Sequence, residues 1–124
     1  MPHNKLVKKS IESPDEIRAF PNGSGTLRVL ALGEQTLGYA QFRPGWRWSK
    51  DMKPVAGTKS CQVDHHIYFV SGRMVVKMDD GSEVEFGPGE AAHIPPGHDA
   101  WIVGDVPCVA LDWSGAASYA KPQR

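Results

Sequence analysis

Two proline–glycine breaks, Pro88-Gly89 and Pro95-Pro96-Gly97, fall within the stretch from Glu83 to Trp101, EVEFGPGEAAHIPPGHDAW. Proline lacks a backbone N–H and fixes φ, and glycine accepts positive φ, so no helix or long strand crosses either break. Between them Glu90 to Ile94 leaves room for only a very short strand. Ahead of them Val84 and Phe86 alternate with Glu83 and Glu85, the period-2 pattern of a strand with one buried face. Short strands punctuated this often point to a barrel or a sandwich. The same texture runs through the chain, whose 13 glycines and 10 prolines are spread along 124 residues and argue for many turns.

This length fits one domain with a single core. The 14 basic residues balance the 14 acidic ones, so charge favours neither nucleic acid nor an anionic membrane as partner. No apolar run approaches the length of a membrane span, and the opening MPHNKLVKKSIESPDE lacks the apolar core of a signal peptide. Cys61 and Cys108 are too few for a disulfide framework. Without an export signal they are expected to be reduced thiols in a cytoplasmic protein.

In chain order, residues 1–10 read as a polar arm that orders on docking. Ser13-Pro14-Asp15-Glu16 carries helix-start signals, and Pro21 limits any helix to about a turn. Thr26–Leu32 and Thr36–Phe42 read as strands of a hairpin across Gly33-Glu34. Trp46 and Trp48, in RPGWRWSKDMKPVAGTKSC, share a parity and should point the same way, either into a core or interface or as a wall of a ligand pocket. Cys61–Val70 is the most β-prone run. Arg73–Asp79 continues as a strand, with Val75 indicating that its outer side is partly covered. Asp80-Gly81 suits a type I′ turn leading into Ser82–Phe86. Trp101–Val103 and Cys108–Trp113 read as the last strands, and SGAASYAKPQR as a tail that frays or drapes over a neighbour. The expected division is an N-terminal arm over 1–25, a barrel over 26–113 and a tail over 114–124. Asp79, Asp80, Glu83 and Glu85 read as solvated. No phosphate loop or nucleophile elbow is present, and Cys61 and His65, four apart on one strand, should lie too far apart to share a proton.

Gly89, Pro95 and Gly97 fill a glycine–five–proline–one–glycine pattern, and IYFVSG closes on Gly72. Over roughly Thr36 to Trp113 the chain therefore resembles the small single-domain, conserved-barrel cupins of type 2. That resemblance implies an all-β, cupin-type jelly-roll β-barrel of six to eight antiparallel strands with a short N-terminal arm. It implies no particular activity, because the fold hosts dioxygenases, isomerases, decarboxylases and binding proteins. The family's metal ligands are not kept in register. His65 stands at the glutamate position, seven before Gly72. The histidine pair falls on Lys59 and Cys61, or on Thr58 and Ser60. Ala100 takes the histidine position after Gly97.

A different set remains available. His65 shares parity with Ile67 and Phe69 and should face the interior, whereas His66, beside Tyr68, should face out. His98 enters the barrel if the turn after Gly97 is shorter than the family pattern. His65 and His98, with Cys61 as a further donor, would suit one divalent transition metal (Zn, Ni, Cu or Fe) better than a hard oxygen-seeking ion. His93, before Ile-Pro, occupies a position where the resemblance implies a histidine that is not a ligand. Two functional classes follow. One is a small-molecule-binding cupin whose ligand sits among Trp46, Trp48, Phe69 and Trp101. The other is a metal-dependent enzyme, an oxygenase or isomerase acting on a small polar substrate. A merely packed barrel is the third alternative. Exposed sheet edges lead us to expect a homodimer, exchanging contacts through the N-terminal arm and Thr26–Leu32.

Overall fold

The computed structural model describes residues 5–123, so the first four residues of the expected arm and the last of the expected tail lie outside the described residues. Among the described residues nine strands form: β1 Glu16–Ala19, β2 Gly25–Leu32, β3 Gln35–Phe42, β4 His65–Ser71, β5 Arg73–Met78, β6 Glu83–Phe86, β7 Ala91–Ile94, β8 His98–Val103 and β9 Cys108–Asp112. They pair antiparallel in a six-stranded sheet, β1-β2-β3-β9-β4-β7, and a three-stranded sheet, β6-β5-β8. The two sheets enclose one apolar core, and the all-β reading holds. Among the described residues no helix is long and apolar enough to cross a membrane.

Alternation decides what faces the core. Along β4 the residues His65, Ile67 and Phe69 are buried while His66, Tyr68 and Val70 are exposed. Along β8 the buried set is His98, Ala100 and Ile102, and along β9 it is Cys108, Ala110 and Asp112. The hairpin of β2 and β3 forms across Gly33-Glu34 as its sequence predicts.

Three local expectations are corrected. The helix-start signals at Ser13–Glu16 lose to sheet pairing: Asp15 donates its N–H to Val29 O at 2.9 Å, and its carboxylate accepts the Ala31 N–H at 2.8 Å. The open edge of β2 thus takes the segment as β1, a ninth strand, since tertiary partners override weak local propensity. The connection after β5 is not a type I′ turn. Gly81 has positive φ (94°) but Asp80 does not, and the Gly81 N–H reaches Met78 O while the Met78 N–H reaches Ser82 O. That is a three-residue hairpin loop with glycine at its bulge position.

The third correction is the tail, which does not fray but packs back onto its own chain. Ala116 and Tyr119 are buried in the chain's own core. The Arg18 guanidinium donates to the carbonyls of Ala116 and Tyr119 at 2.6 and 2.7 Å, and the Gln123 N–H reaches Ala56 O at 2.8 Å. A side chain at Gly38 would meet Ala116 Cβ at 2.8 Å, so the strand leaves the tail just enough room. Tyr119→Ala should therefore lower the unfolding free energy by about 3 kcal/mol, the scale of a large aromatic removed from a core. Trp113→Ala, on the exposed face, should change it little. Urea unfolding of the two variants checks this, and equal midpoints would contradict the tail's place in the core.

Candidate functional site

The Pro95-Pro96-Gly97 turn places one half of the site. Gly97 (φ 95°) turns the chain directly into β8, so His98 is already a strand residue facing inward, 4% exposed. There it forms an antiparallel bridge with Cys61. The Cys61 N–H donates to His98 O at 2.8 Å, and the Gly97 N–H donates to Cys61 O at 2.7 Å. Cys61 is held by this bridge rather than by β4, which begins only at His65. On one extended strand four residues would span about 13 Å. The bend across Gln62–Asp64 instead brings Cys61 Sγ to 3.9 Å from His65 Nε2, which overturns the expectation that the two lie too far apart.

Cys61, His65 and His98 are all buried, and their donor atoms lie within 4.8 Å of one another. Each imidazole is oriented by an acceptor on its other nitrogen. His65 Nδ1 lies 2.5 Å from Asp112 Oδ2, and His98 Nδ1 lies 2.8 Å from Pro95 O. Asp112 Oδ1 in turn accepts the N–H groups of Ser114 and Gly115 at 3.0 and 2.8 Å. With Nδ1 of each ring engaged by an acceptor, Nε2 is the nitrogen that each ring turns toward the thiol.

The charges follow. Burial works against ionisation of the Cys61 thiol, yet hydrogen bonds from His65 and His98 bring it down to about 6. Burial also works against a charged His65, but the bonds to Asp112 and Cys61 raise it to about 9. Burial would raise Asp112, and the His65 contact outweighs it and holds the carboxyl low. Burial, aided by the charges of Cys61, Asp112 and Asp51, keeps Tyr119 well above the ordinary phenol range. Without a metal the cluster is thus a thiolate–imidazolium pair backed by a carboxylate.

His65, His98, Asp112 and Tyr119 form the polar part of the wall of an otherwise apolar interior cavity of about 40 Å³, measured as room for the centres of water-sized molecules. That is space for about three waters. Trp46 and Trp48 line it too. Arg47 bridges to Trp101 on the edge of β8, which turns its two neighbours inward. Among the described residues, the indole N–H groups of Trp46 and Trp48 are the buried side-chain polar atoms that find no hydrogen-bond partner within the protein.

The other two aromatic candidates are not part of this wall. Trp101 alternates with the inward Ala100 and Ile102, so its ring faces outward under the Arg47 guanidinium, 4.5 Å from the ring centroid. Phe69 is fully buried but stacks on Phe86 at 5.2 Å and does not reach the cavity. Asp112 and Tyr119 are the site residues that sequence reasoning missed. For Asp112 a signal existed, because an acid at the parity of Cys108 and Ala110 is an inward carboxylate. Tyr119 lies in a segment with no periodicity.

A family model, the EutQ-like cupin domain, matches residues 29–108. The chain belongs to this cupin family. Solved cupins share the fold at low identity. The polyketide cyclase RemF from Streptomyces resistomycificus superposes with TM-score 0.63 at 21% identity, covering 90% of this chain and 80% of that one. A sugar phosphate isomerase of the cupin superfamily from Silicibacter pomeroyi gives 0.61 at 19% identity, covering 88% and 75%. A Rhizobium leguminosarum protein of unknown function gives 0.58 at 22% identity, covering 95% and 98%. No curated protein matches the chain.

The two thiols of this cupin should titrate far apart. Cys61 ionises at about 6, and Cys108, which burial alone governs, at about 11. In metal-stripped protein, thiolate ultraviolet absorbance should therefore already show one thiolate at pH 7.5. Asp112→Asn, by removing the carboxylate that keeps His65 charged, should shift the first step upward. A first step near the ordinary thiol value of about 8.5 in the parent would contradict the ion pair.

Proposed function

We propose that this cupin holds one divalent transition metal, zinc in the first instance, on Cys61, His65 and His98, and binds a small oxygen-bearing organic ligand in the cavity beside it. The carrying observation is that both imidazoles keep Nδ1 on an acceptor and present Nε2 toward one thiol. A carboxylate or carbonyl behind a histidine is the usual support of a metal ligand. One thiolate and two imidazoles make a borderline-soft set that suits zinc, copper or nickel, with Fe(II) next, better than magnesium or calcium. Tetrahedral zinc places thiolate and imidazole donors about 3.5 Å apart, close to the 3.9 Å between Cys61 and His65.

The ligand's chemistry is read from the wall. Two buried indole N–H groups without partners favour an acceptor oxygen, and the apolar remainder of the cavity favours a short carbon skeleton. A cavity of about 40 Å³ limits that ligand to a few heavy atoms unless side chains shift. A metal-dependent enzyme is the second reading, supported by a donor set of only three residues, which leaves a coordination position open as catalytic zinc sites do. A bound ion would supply Lewis-acid polarisation of a ligand oxygen. The residues themselves orient the ligand through Trp46 and Trp48, keep water out, and hold a proton on His65 Nδ1 against Asp112.

Cobalt(II) titration of protein made without an affinity tag tests the metal. The parent should develop a thiolate-to-cobalt absorption band that Cys61→Ser abolishes, and Asp112→Asn should weaken binding about 10- to 100-fold. Absence of the band in the parent, or its survival in Cys61→Ser, overturns the assignment. Trp48→Phe tests the ligand site with pyruvate and glycolate as probes on the zinc-loaded protein. Metal content should be unchanged, while probe affinity falls about tenfold for the lost hydrogen bond. Equal affinity in parent and variant would remove Trp48 from the site.

A further inference from the structure

The outer face of the same sheet carries a second constellation, unconnected with the cavity. β4 and β7 pair so that His66 stands directly opposite His93. At both positions alternation turns the side chain to solvent, so the two rings stack outside the barrel, 4.6 Å apart and 16° from parallel. Asp64, in the bend just before β4, reaches up between them. Its Oδ1 lies 2.8 Å from His93 Nε2 and its Oδ2 lies 3.7 Å from His66 Nδ1. All three donor atoms fall within 4.8 Å of one another.

We infer that Asp64, His66 and His93 form a second, outward-facing site for a borderline divalent transition ion such as zinc or nickel. Two imidazoles and a carboxylate are a common zinc donor set. A tetrahedral ion places nitrogen and oxygen donors about 3.3 Å apart, which lies between the two distances observed. Exposed side chains reach that spacing by small torsional adjustment. Their parent backbones are fixed: the strand register holds His66 against His93, and the Trp113 N–H donates to His66 O at 3.0 Å. Ser114 Oγ lies 2.9 Å from His66 Nδ1 and its hydroxyl donates to Asp64 O at 3.1 Å, which ties the ring, the Asp64 backbone and the turn after β9 together. The groove around the rings, about 530 Å³ and flanked by Tyr68 and Trp113, admits a hydrated ion. Three protein donors leave positions open for water or for a donor from another molecule.

This inference does not depend on the inner cluster, and the test separates them. Untagged, chelator-stripped protein is titrated with zinc by calorimetry and applied to immobilised nickel. Compared with the parent, the His66→Ala/His93→Ala variant should lose one equivalent of zinc and its retention on nickel. Cys61→Ser should keep the nickel retention. His93→Gln preserves a donor to Asp64 but not the imidazole. It should lose the outer equivalent as well, which a merely structural clasp would not. A parent that binds one ion, with none left in His66→Ala/His93→Ala, supports the outer site and removes the inner one. The inference is overturned if His66→Ala/His93→Ala binds as many zinc ions as the parent or stays equally retained on nickel.

Discussion

The contact between His65 and Asp112 is the one on which the interior of this barrel depends. A carboxylate on the inward side of β9 stays ionised only if every oxygen is occupied. His65 from β4 takes one oxygen, and the N–H groups of Ser114 and Gly115 take the other. Those two N–H groups belong to the turn that ends β9, so satisfying Asp112 also sets the direction in which the tail leaves. It leaves inward, carrying Ala116 and Tyr119 into the core. The turn tolerates no side chain at position 115, where a Cβ would meet His65 Nδ1 at 2.5 Å and Asp112 Oδ2 at 2.6 Å. Dyad, turn and tail therefore form one unit.

The second constraint is the bridge between Cys61 and His98. It joins the long connection after β3 to the start of β8 through three backbone hydrogen bonds around the Pro95-Pro96-Gly97 turn. Because Cys61 is fixed from the β8 side and His65 from the β4 side, the thiol meets the imidazole across the gap between the two sheets. Neither strand alone could bring them together. The site thus belongs to the pairing of the sheets, which ties its geometry to the global fold.

The strands were legible because β-structure writes its burial into alternation: β2, β3, β4 and β5 follow directly from parity and turn residues. The metal-type donors were legible for the same reason, since His65 stands at an inward position and His98 follows a turn that ends in glycine. Where parity was started from the wrong residue the reading failed. Taking β8 from Trp101 put that ring inside. The true start at His98 puts it outside, with Arg47 over its face. Reading Cys61–Val70 as one strand likewise hid the bend that brings Cys61 to His65. Tyr119 and the helix-like start at Ser13 were illegible for a different reason. Their conformations are set by partners distant in sequence, Arg18 for the tail and the edge of β2 for the N-terminal segment.

A cluster of this kind is costly to bury, and that cost bears on its purpose. Replacing buried ionic groups with apolar side chains of similar size is often neutral or stabilising. A barrel built only to pack would have little use for a thiol, two imidazoles and a carboxylate within its wall. Nor would it leave two indole N–H groups without partners beside them. Both costs fall at or beside the same cavity, and the remaining inward positions of the sheets are apolar apart from the Cys108 thiol. A few polar groups set into an otherwise apolar cavity, with indole donors unspent, are features that a small polar ligand would use. The outer pair His66 and His93 carries no such cost, because water solvates it. Its side chains can rearrange without any change in the core, although His65 and His66 are adjacent on one strand.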